Sequence, residues 1–390
     1  MNIDKLVIKD YSSIFYNRFQ DIINQKNKYD GPFSLIDFGV GEEKSMPDKR
    51  ILETFKSSLG DCKNHKYSDN EADELLKSAK NYLKRNFDVD VKSEELMHII
   101  GAKSILAMIP SLFINENDYV VTLNPSYVIL ERAAKLCGAK IAYLTLNEEN
   151  QFYPNLDEIS EEIWAKTKIL NLNFPHNPTG ATVDEKFYKS AIALAKKYNF
   201  IIVNDAAYLG ISYHKPLSFL SIDGAKDVGI EIYSLSKSHN MTGFRIGFVA
   251  GNARIIELLK LLKNNFDSGQ YIPIQLAAKE ALDNDDITEA LKDKYLSRMK
   301  KIAMILFEHG LYAYIPYGTF YLYFRIPSKV KDQTFKTAHE FSSFLLERVG
   351  IMTIPYDEEG HYIRLSMTFE CEDENAFYED LRNRLNLVFF

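Results

Sequence analysis

Four short stretches of this chain carry side chains that together can bind and activate a carbonyl compound. Ser234-Leu235-Ser236-Lys237 offers an amine flanked by hydroxyls, and Arg245 follows eight residues later. Asn204-Asp205-Ala206-Ala207-Tyr208 offers an acid and a phenol. Pro175-His176-Asn177-Pro178-Thr179-Gly180 offers an amide, and Gly101-Ala102-Lys103-Ser104 opens a helical pattern. A lysine amine can form an imine with an aldehyde. A carboxylate at a ring nitrogen keeps that ring protonated and electron-withdrawing. A helix N-terminus, hydroxyls and an arginine suit a phosphate. Pyridoxal phosphate (PLP) needs that whole set. Taken singly, each piece has an ordinary structural reading. Asn177-Pro178-Thr179-Gly180 is a good turn, serines cap helices, and most lysines are solvated charges. The conjunction, in one order, carries the chemistry.

Those stretches share a position: each follows an apolar run of strand length. Met97–Ile100, Tyr119–Leu123, Lys140–Leu144, Ile169–Phe174, Phe200–Asn204, Glu231–Leu235 and Ile246–Ala250 read as strands. Helical patterns lie between several of them, at Ser104–Phe113, Tyr127–Leu136 and Asp184–Tyr198. In the last, Phe187, Ala191, Leu194 and Ala195 share one face. Strand–helix alternation predicts an α/β fold whose large domain is a mainly parallel seven-stranded sheet between helices. Ligands of such sheets bind at the carboxyl ends of the strands, where the reactive side chains fall.

The C-terminal third changes character. A long helix is expected over Ile287–His309, then strands at Leu311–Ile315, Phe320–Arg325, Ile351–Ile354 and Tyr362–Met367, with helices at Phe335–Arg348 and Asn375–Leu387. This reads as a smaller α+β domain. The expected division is 46–285 for the large PLP-binding domain, and 1–45 with 286–390 for the small one.

Bulk properties narrow the function. The chain has 390 residues, 46% of them hydrophobic, enough for two lobes. A net charge of −7 with no basic patch argues against a nucleic-acid partner. The N-terminus has no apolar run of secretory type, and no apolar stretch approaches a bilayer span. Three cysteines without Cys-x-x-Cys spacing fit a reducing, cytoplasmic setting. The eight histidines form no pair at metal spacing, so no metal is expected.

The run from Ser234 to Gly247, Ser234-Leu235-Ser236-Lys237-Ser238-His239-Asn240-Met241-Thr242-Gly243-Phe244-Arg245-Ile246-Gly247, resembles the lysine segment of class I/II aminotransferases, fold type I of the PLP enzymes. Asn177-Pro178-Thr179-Gly180, Asn204-Asp205-Ala206-Ala207-Tyr208, Gly224-Ala225-Lys226-Asp227-Val228-Gly229 and Asp267-Ser268-Gly269 bring the likeness nearest to the LL-diaminopimelate aminotransferase branch. The similarity runs from about Ile36 to Arg364. It implies that Lys237 carries PLP as a Schiff base and later moves the substrate α-proton. It implies that Asp205 pairs with the ring nitrogen, and that Asn177 and Tyr208 bond the ring oxygen. Tyr127 would stack on the ring. Ala102 and Lys103 (through backbone N–H groups), Ser234, Ser236 and Arg245 would hold the phosphate. Tyr67 resembles a tyrosine that reaches the neighbouring subunit's phosphate, which implies a homodimer with shared sites. Arg364 resembles the arginine that clamps the substrate α-carboxylate, a task suited to a planar fork. Gly39 resembles part of a mobile N-terminal segment that closes over substrate.

The implied reaction moves an amino group from an amino acid, LL-diaminopimelate among the candidates, to 2-oxoglutarate. An aspartate/alanine-type or pathway-specific aminotransferase remains open, as does a PLP β-lyase, which would share every cofactor residue. A PLP-binding regulator would need a DNA-binding module, and the first 45 residues carry no basic helix-turn-helix pattern. Gly39-Val40-Gly41 lacks the third glycine of a dinucleotide fingerprint, which argues against a nicotinamide enzyme. Two loops depart from the family pattern. In Ser68-Asp69-Asn70-Glu71-Ala72-Asp73-Glu74, Ala72 stands where a glycine is usual, and Lys77 where an arginine is. Pro355-Tyr356-Asp357-Glu358-Glu359-Gly360 is short and acidic; if it lines the site, it would favour a substrate with a distal ammonium.

Overall fold

Alternation within the apolar runs decides the architecture. In the computed structural model, which describes residues 18–68, 73–267 and 269–390, seven strands form one sheet. They are β1 (Leu96–Ile99), β2 (Tyr119–Asn124), β3 (Lys140–Thr145), β4 (Thr167–Leu172), β5 (Ile201–Asp205), β6 (Gly229–Ser234) and β7 (Gly247–Gly251). Successive side chains point to opposite faces. Val120, Ile169, Val203, Ile230 and Ile232 enter one core with Ile105, Leu106, Leu130 and Ile256. Val121, Leu170, Ile202 and Tyr233 enter the other, against Phe187, Tyr188 and Ala191. Both faces are therefore covered, which is why the strands read as continuous apolar runs.

The sheet order is β1-β7-β6-β5-β4-β2-β3. All neighbours are parallel except those of β7, which is antiparallel to β6 and β1. Gly247 lies opposite Ser234 on one side and Ile99 on the other. That register brings the turn before β7, the lysine loop after β6 and the helix after β1 to one corner.

A second core joins the long helix Asp285–Glu308, through Tyr295, Met299 and Ile302, to Phe320, Phe341 and Leu385. It covers a three-stranded antiparallel sheet of β8 (Tyr321–Arg325), β9 (Ile354–Tyr356) and β10 (Tyr362–Ser366). Ala207, Tyr208 and Ile211 from the β5 loop enter this core, while Tyr323, Tyr356 and Tyr362 enter the first. The two sheets thus share a hydrophobic seam.

Two strand expectations need correction. Leu311–Ile315 is not a strand. Its side chains alternate between buried and exposed, as a strand's would, but β8 pairs only with β10 and no ladder runs beside the segment. Ile351–Ile354 is two pieces. Ile351–Met352 pairs in parallel with Ile36–Asp37, and β9 begins at Ile354 and pairs with β10. The intervening Thr353 turns its hydroxyl to Ser342 at 2.8 Å. Among the described residues no helix is long and apolar enough to cross a membrane.

Candidate active site

The strand ends converge on a cavity of about 460 Å³ between the two sheets. Ala102, Lys103, Tyr127, Asn177, Asp205, Tyr208, Ser234, Ser236, Lys237, Arg245 and Arg364 all line it. Of the expected site residues, Gly39 and Tyr67 alone do not. Gly39 sits one residue before the wall formed by Val40 and Gly41. Tyr67 is 87% exposed and lies outside this cavity.

Asp205 ends β5 and is buried. Burial pushes its carboxyl up to about 7, against the opposing pull of the Ala207 N–H at 3.2 Å and of the nearby Lys237 charge. An acid so placed has no direct cationic partner among its hydrogen bonds and gains most from a cation entering the cavity. Lys237 stands on the first turn after β6, in Leu235–Ser238. Burial, then the neighbouring Arg364 guanidinium, brings its amine down to about 8. At pH 7 about a tenth is therefore neutral and nucleophilic, far more than for an ordinary lysine with its pKa near 10.5. Its Nζ donates to the Gly41 carbonyl.

Asn177 is fixed from two directions. Its N–H donates to Asn173 Oδ1 at 2.9 Å, and its own Oδ1 accepts from Arg364 Nη1 at 2.7 Å. Asn173 Nδ2 in turn donates to the Asp205 carbonyl at 2.7 Å. Asn173 thus ties the amide loop to the acid. Behind the turn, buried His176 bridges Thr179 Oγ1 (2.8 Å) and the Pro125 carbonyl (3.0 Å), and burial lowers its pKa to about 3. It is a neutral brace that holds the Tyr127 loop against the amide loop. Tyr127 itself, buried beside Asp205, is pushed up to about 12 and stays a neutral ring.

The second sheet supplies the opposite wall. Arg364, wholly buried on β10, donates Nη2 to the Gly39 carbonyl at 2.9 Å and stacks 4.1 Å from the Tyr321 ring. Tyr321 OH and Tyr208 OH share a hydrogen bond of 2.9 Å. The segment from Ile36 to Ser45 straps the two halves together. Phe38 O accepts from Ser366 N at 2.8 Å, Val40 O from Thr368 Oγ1 at 3.0 Å, and Ser45 O from Asn240 Nδ2 at 2.8 Å. Gly41 must be glycine here, because a Cβ would lie 2.0 Å from Tyr321 OH.

One corner fits a phosphate. Gly101 (φ +73°) precedes the helix Ala102–Met108, and a Cβ on it would lie 2.5 Å from Arg245 Nη2. Arg245 Nη1 contacts Ser236 Oγ at 3.4 Å and the Thr242 carbonyl at 2.9 Å. Hydroxyls, a guanidinium and free N–H groups meet there, across the cavity mouth from nothing acidic among the described lining residues except Asp205. The donor set therefore fits PLP: an amine for the aldehyde, an acid for the ring nitrogen, and this corner for the phosphate.

Sequence reading missed Asn173, Tyr321, Tyr356, Thr242 and Arg132 on the cavity wall. Asn173 sits at a strand end and could have been suspected; the others depend on long-range packing. The acidic loop is a correction. Asp357 accepts from the N–H of Ala338 at 2.6 Å and pairs with His361 at 2.7 Å, and Glu359 accepts from Asn124 Nδ2 at 2.5 Å. Only Tyr356 of that loop lines the cavity, so its carboxylates offer no distal-ammonium site there. Asp69 to Ala72 and Ser268 lie outside the described residues. Lys77 is exposed on the helix Asp73–Phe87.

Comparison with known proteins agrees with this geometry. Residues 34–377 match the family model of aminotransferase class I and II. The chain is 43% identical over 346 residues to the LL-diaminopimelate aminotransferase of Methanocaldococcus jannaschii, covering 88% of this chain and 82% of that one. It is 42% identical to the enzyme of the same name from Methanococcus maripaludis, covering 91% and 88%. Among solved structures, substrate-bound BacF from Bacillus subtilis superposes with a TM-score of 0.90 at 29% identity, covering 100% of this chain and 99% of that one. The chain belongs to the class I and II aminotransferases, a PLP-dependent family.

Proposed function

We propose that this aminotransferase takes its amino group from LL-diaminopimelate and delivers it to 2-oxoglutarate. One observation carries the assignment of chemistry to residues: Lys237, Asp205 and Arg364 line the same cavity. The donor's identity is supported by the relatives at 42–43% identity, which are LL-diaminopimelate aminotransferases.

PLP, when bound, supplies an aldehyde that joins amines and a ring that draws electrons from the adjoining carbon. The chain's own residues then have the following tasks. Lys237 Nζ would hold the cofactor aldehyde and, as a free amine, would take the proton from the substrate α-carbon. Asp205, a buried acid, would face the ring nitrogen as a carboxylate and keep that nitrogen protonated. Asn177 and Tyr208 would bond the ring oxygen, and Tyr127 would cover the ring. Ala102 and Lys103 through N–H groups, with Ser234, Ser236 and Arg245, would hold the phosphate. Arg364, oriented by Asn177, Gly39 and Tyr321, takes the α-carboxylate. The segment through Gly39 excludes water from above Lys237.

The same reading includes a homodimer, the division of the chain at 46 and 285, and a cytoplasmic setting. Tyr67 is itself exposed. Its neighbour Ser68 bonds the Gln270 carbonyl at 2.7 Å, and Leu261, Phe266 and Tyr271 are exposed nearby in sequence. A second copy covering these side chains would bring Tyr67 to its phosphate corner. The second core, built mostly from residues after 286, supports the division, and the three free cysteines suit a reducing compartment.

A donor screen on PLP-loaded protein, with 2-oxoglutarate as acceptor and glutamate as readout, tests the function. LL-diaminopimelate should give the highest kcat/KM. Aspartate or alanine outranking it would refute the donor. Pyruvate and ammonia released without any acceptor would favour the lyase reading.

A further inference from the structure

The charges around the cavity are lopsided. Asp205 is the one acid among the described lining residues, against Lys103, Arg132, Lys237, Arg245 and Arg364. Three of these cations have tasks fixed by geometry. Lys237 reaches the Gly41 carbonyl, Arg364 is clamped by Asn177 and Gly39, and Arg245 stands beside Ser236 and Gly101. Lys103 is exposed at the start of its helix. Arg132 is left without a role in the chemistry described so far.

Its placement is specific. Arg132 lies on the helix Ile129–Leu136, which follows directly from the Tyr127 loop. Ile129, three residues earlier and so on the same helix face, also lines the cavity. The adjacent acid is turned away: Glu131 is buried against Lys135 (2.7 Å) and Tyr143 OH (2.9 Å) on the β3 side. The helix therefore presents a guanidinium to the cavity and hides its carboxylate. Val40, Val128, Ile129 and Ile23 give the same cavity an apolar part of its lining. An apolar lining with a planar cation is what a methylene chain ending in a carboxylate requires.

We propose that Arg132 binds the far carboxylate of the substrate, and so selects donors and acceptors that carry a second carboxylate at the end of a short carbon chain. This rests on the aminotransferase reading above and adds a specificity residue to it. The same cation serves donor and acceptor, because both occupy this cavity in turn.

The test uses PLP-loaded full-length protein in wild-type, Arg132→Gln, Arg132→Lys and Lys103→Gln forms. The first readout is the ratio of kcat/KM for 2-oxoglutarate to that for pyruvate, with one common donor. The second is calorimetric binding of glutarate against butyrate, which needs no turnover. Arg132→Gln should lower the acceptor ratio and the glutarate preference by about tenfold to a hundredfold, the value of one charge-assisted contact. Arg132→Lys should recover part of both, since it keeps the charge and loses the fork. A ratio and preference within about twofold of wild type in Arg132→Gln overturn the proposal, as does a loss seen in Lys103→Gln alone. Wild-type protein that binds glutarate through Arg132 yet transfers no amino group upholds the proposal and refutes the functional reading.

Discussion

Replacing Arg364 by lysine separates the geometry of the carboxylate clamp from its charge. The guanidinium is wholly buried on β10 and held by Asn177 Oδ1 at 2.7 Å, the Gly39 carbonyl at 2.9 Å and the Tyr321 ring at 4.1 Å. With its orientation fixed, the planar guanidinium suits a carboxylate fork. A lysine ammonium is a point charge and cannot satisfy Asn177, Gly39 and both carboxylate oxygens together. One charged hydrogen bond to substrate is lost, about 1.5–3 kcal/mol, or roughly tenfold to 150-fold in kcat/KM. The assay compares amino acids with amines that lack the carboxylate, on protein whose PLP absorbance is checked first. The drop should appear for every amino acid and be much smaller for the amines. Equal kcat/KM for amino acids in mutant and wild type, or an equal loss with amines, would refute the reasoning.

Two further outcomes follow from the same structure. Gly101→Ala should weaken PLP binding about tenfold or more in a cofactor titration, because φ +73° strains alanine and the new Cβ displaces Arg245 Nη2 from 2.5 Å. An unchanged dissociation constant would remove Gly101 from the phosphate corner. Glu231, fully buried on β6 with Ser218 Oγ at 3.1 Å and the Leu220 N–H at 3.2 Å, is pushed up from 4.5 to about 7 by burial. The folded state then holds more protons than the unfolded one between those values, so stability falls as pH rises through that window. Glu231→Gln should therefore gain on wild type by about 3 kcal/mol above about pH 7 and by little near pH 4.5, in denaturant unfolding at both extremes. A gain that is the same at both would contradict the burial argument.

The legible parts of this protein were those set by local chemistry. Strands in the middle of the sheet, buried on both faces, leave continuous apolar runs, and their ends put Asp205, Asn177 and Lys237 on one rim before any contact is known. What could not be read depends on partners far along the chain. Arg364 meets Asn177 across 187 positions and Gly39 across 325. Tyr321 reaches Tyr208 from another sheet, and the Ile36–Ser45 strap takes its shape from Met352, Ser366, Thr368 and Asn240. Leu311–Ile315 has the period of a strand but no neighbour to pair with, a property of the fold and not of the segment. The acids at Asp357 and Glu359 suggested substrate contact through charge alone. In the fold they cap a helix and anchor Asn124.

The attachment of PLP to Lys237 is open to a direct chemical measurement. PLP-loaded protein is reduced with borohydride, digested and analysed by mass spectrometry. One phosphopyridoxyl label is expected, on the peptide that contains Lys237, and none in Lys237→Ala. A label on Lys103 or any other lysine in the wild type, or no label at all, would contradict it.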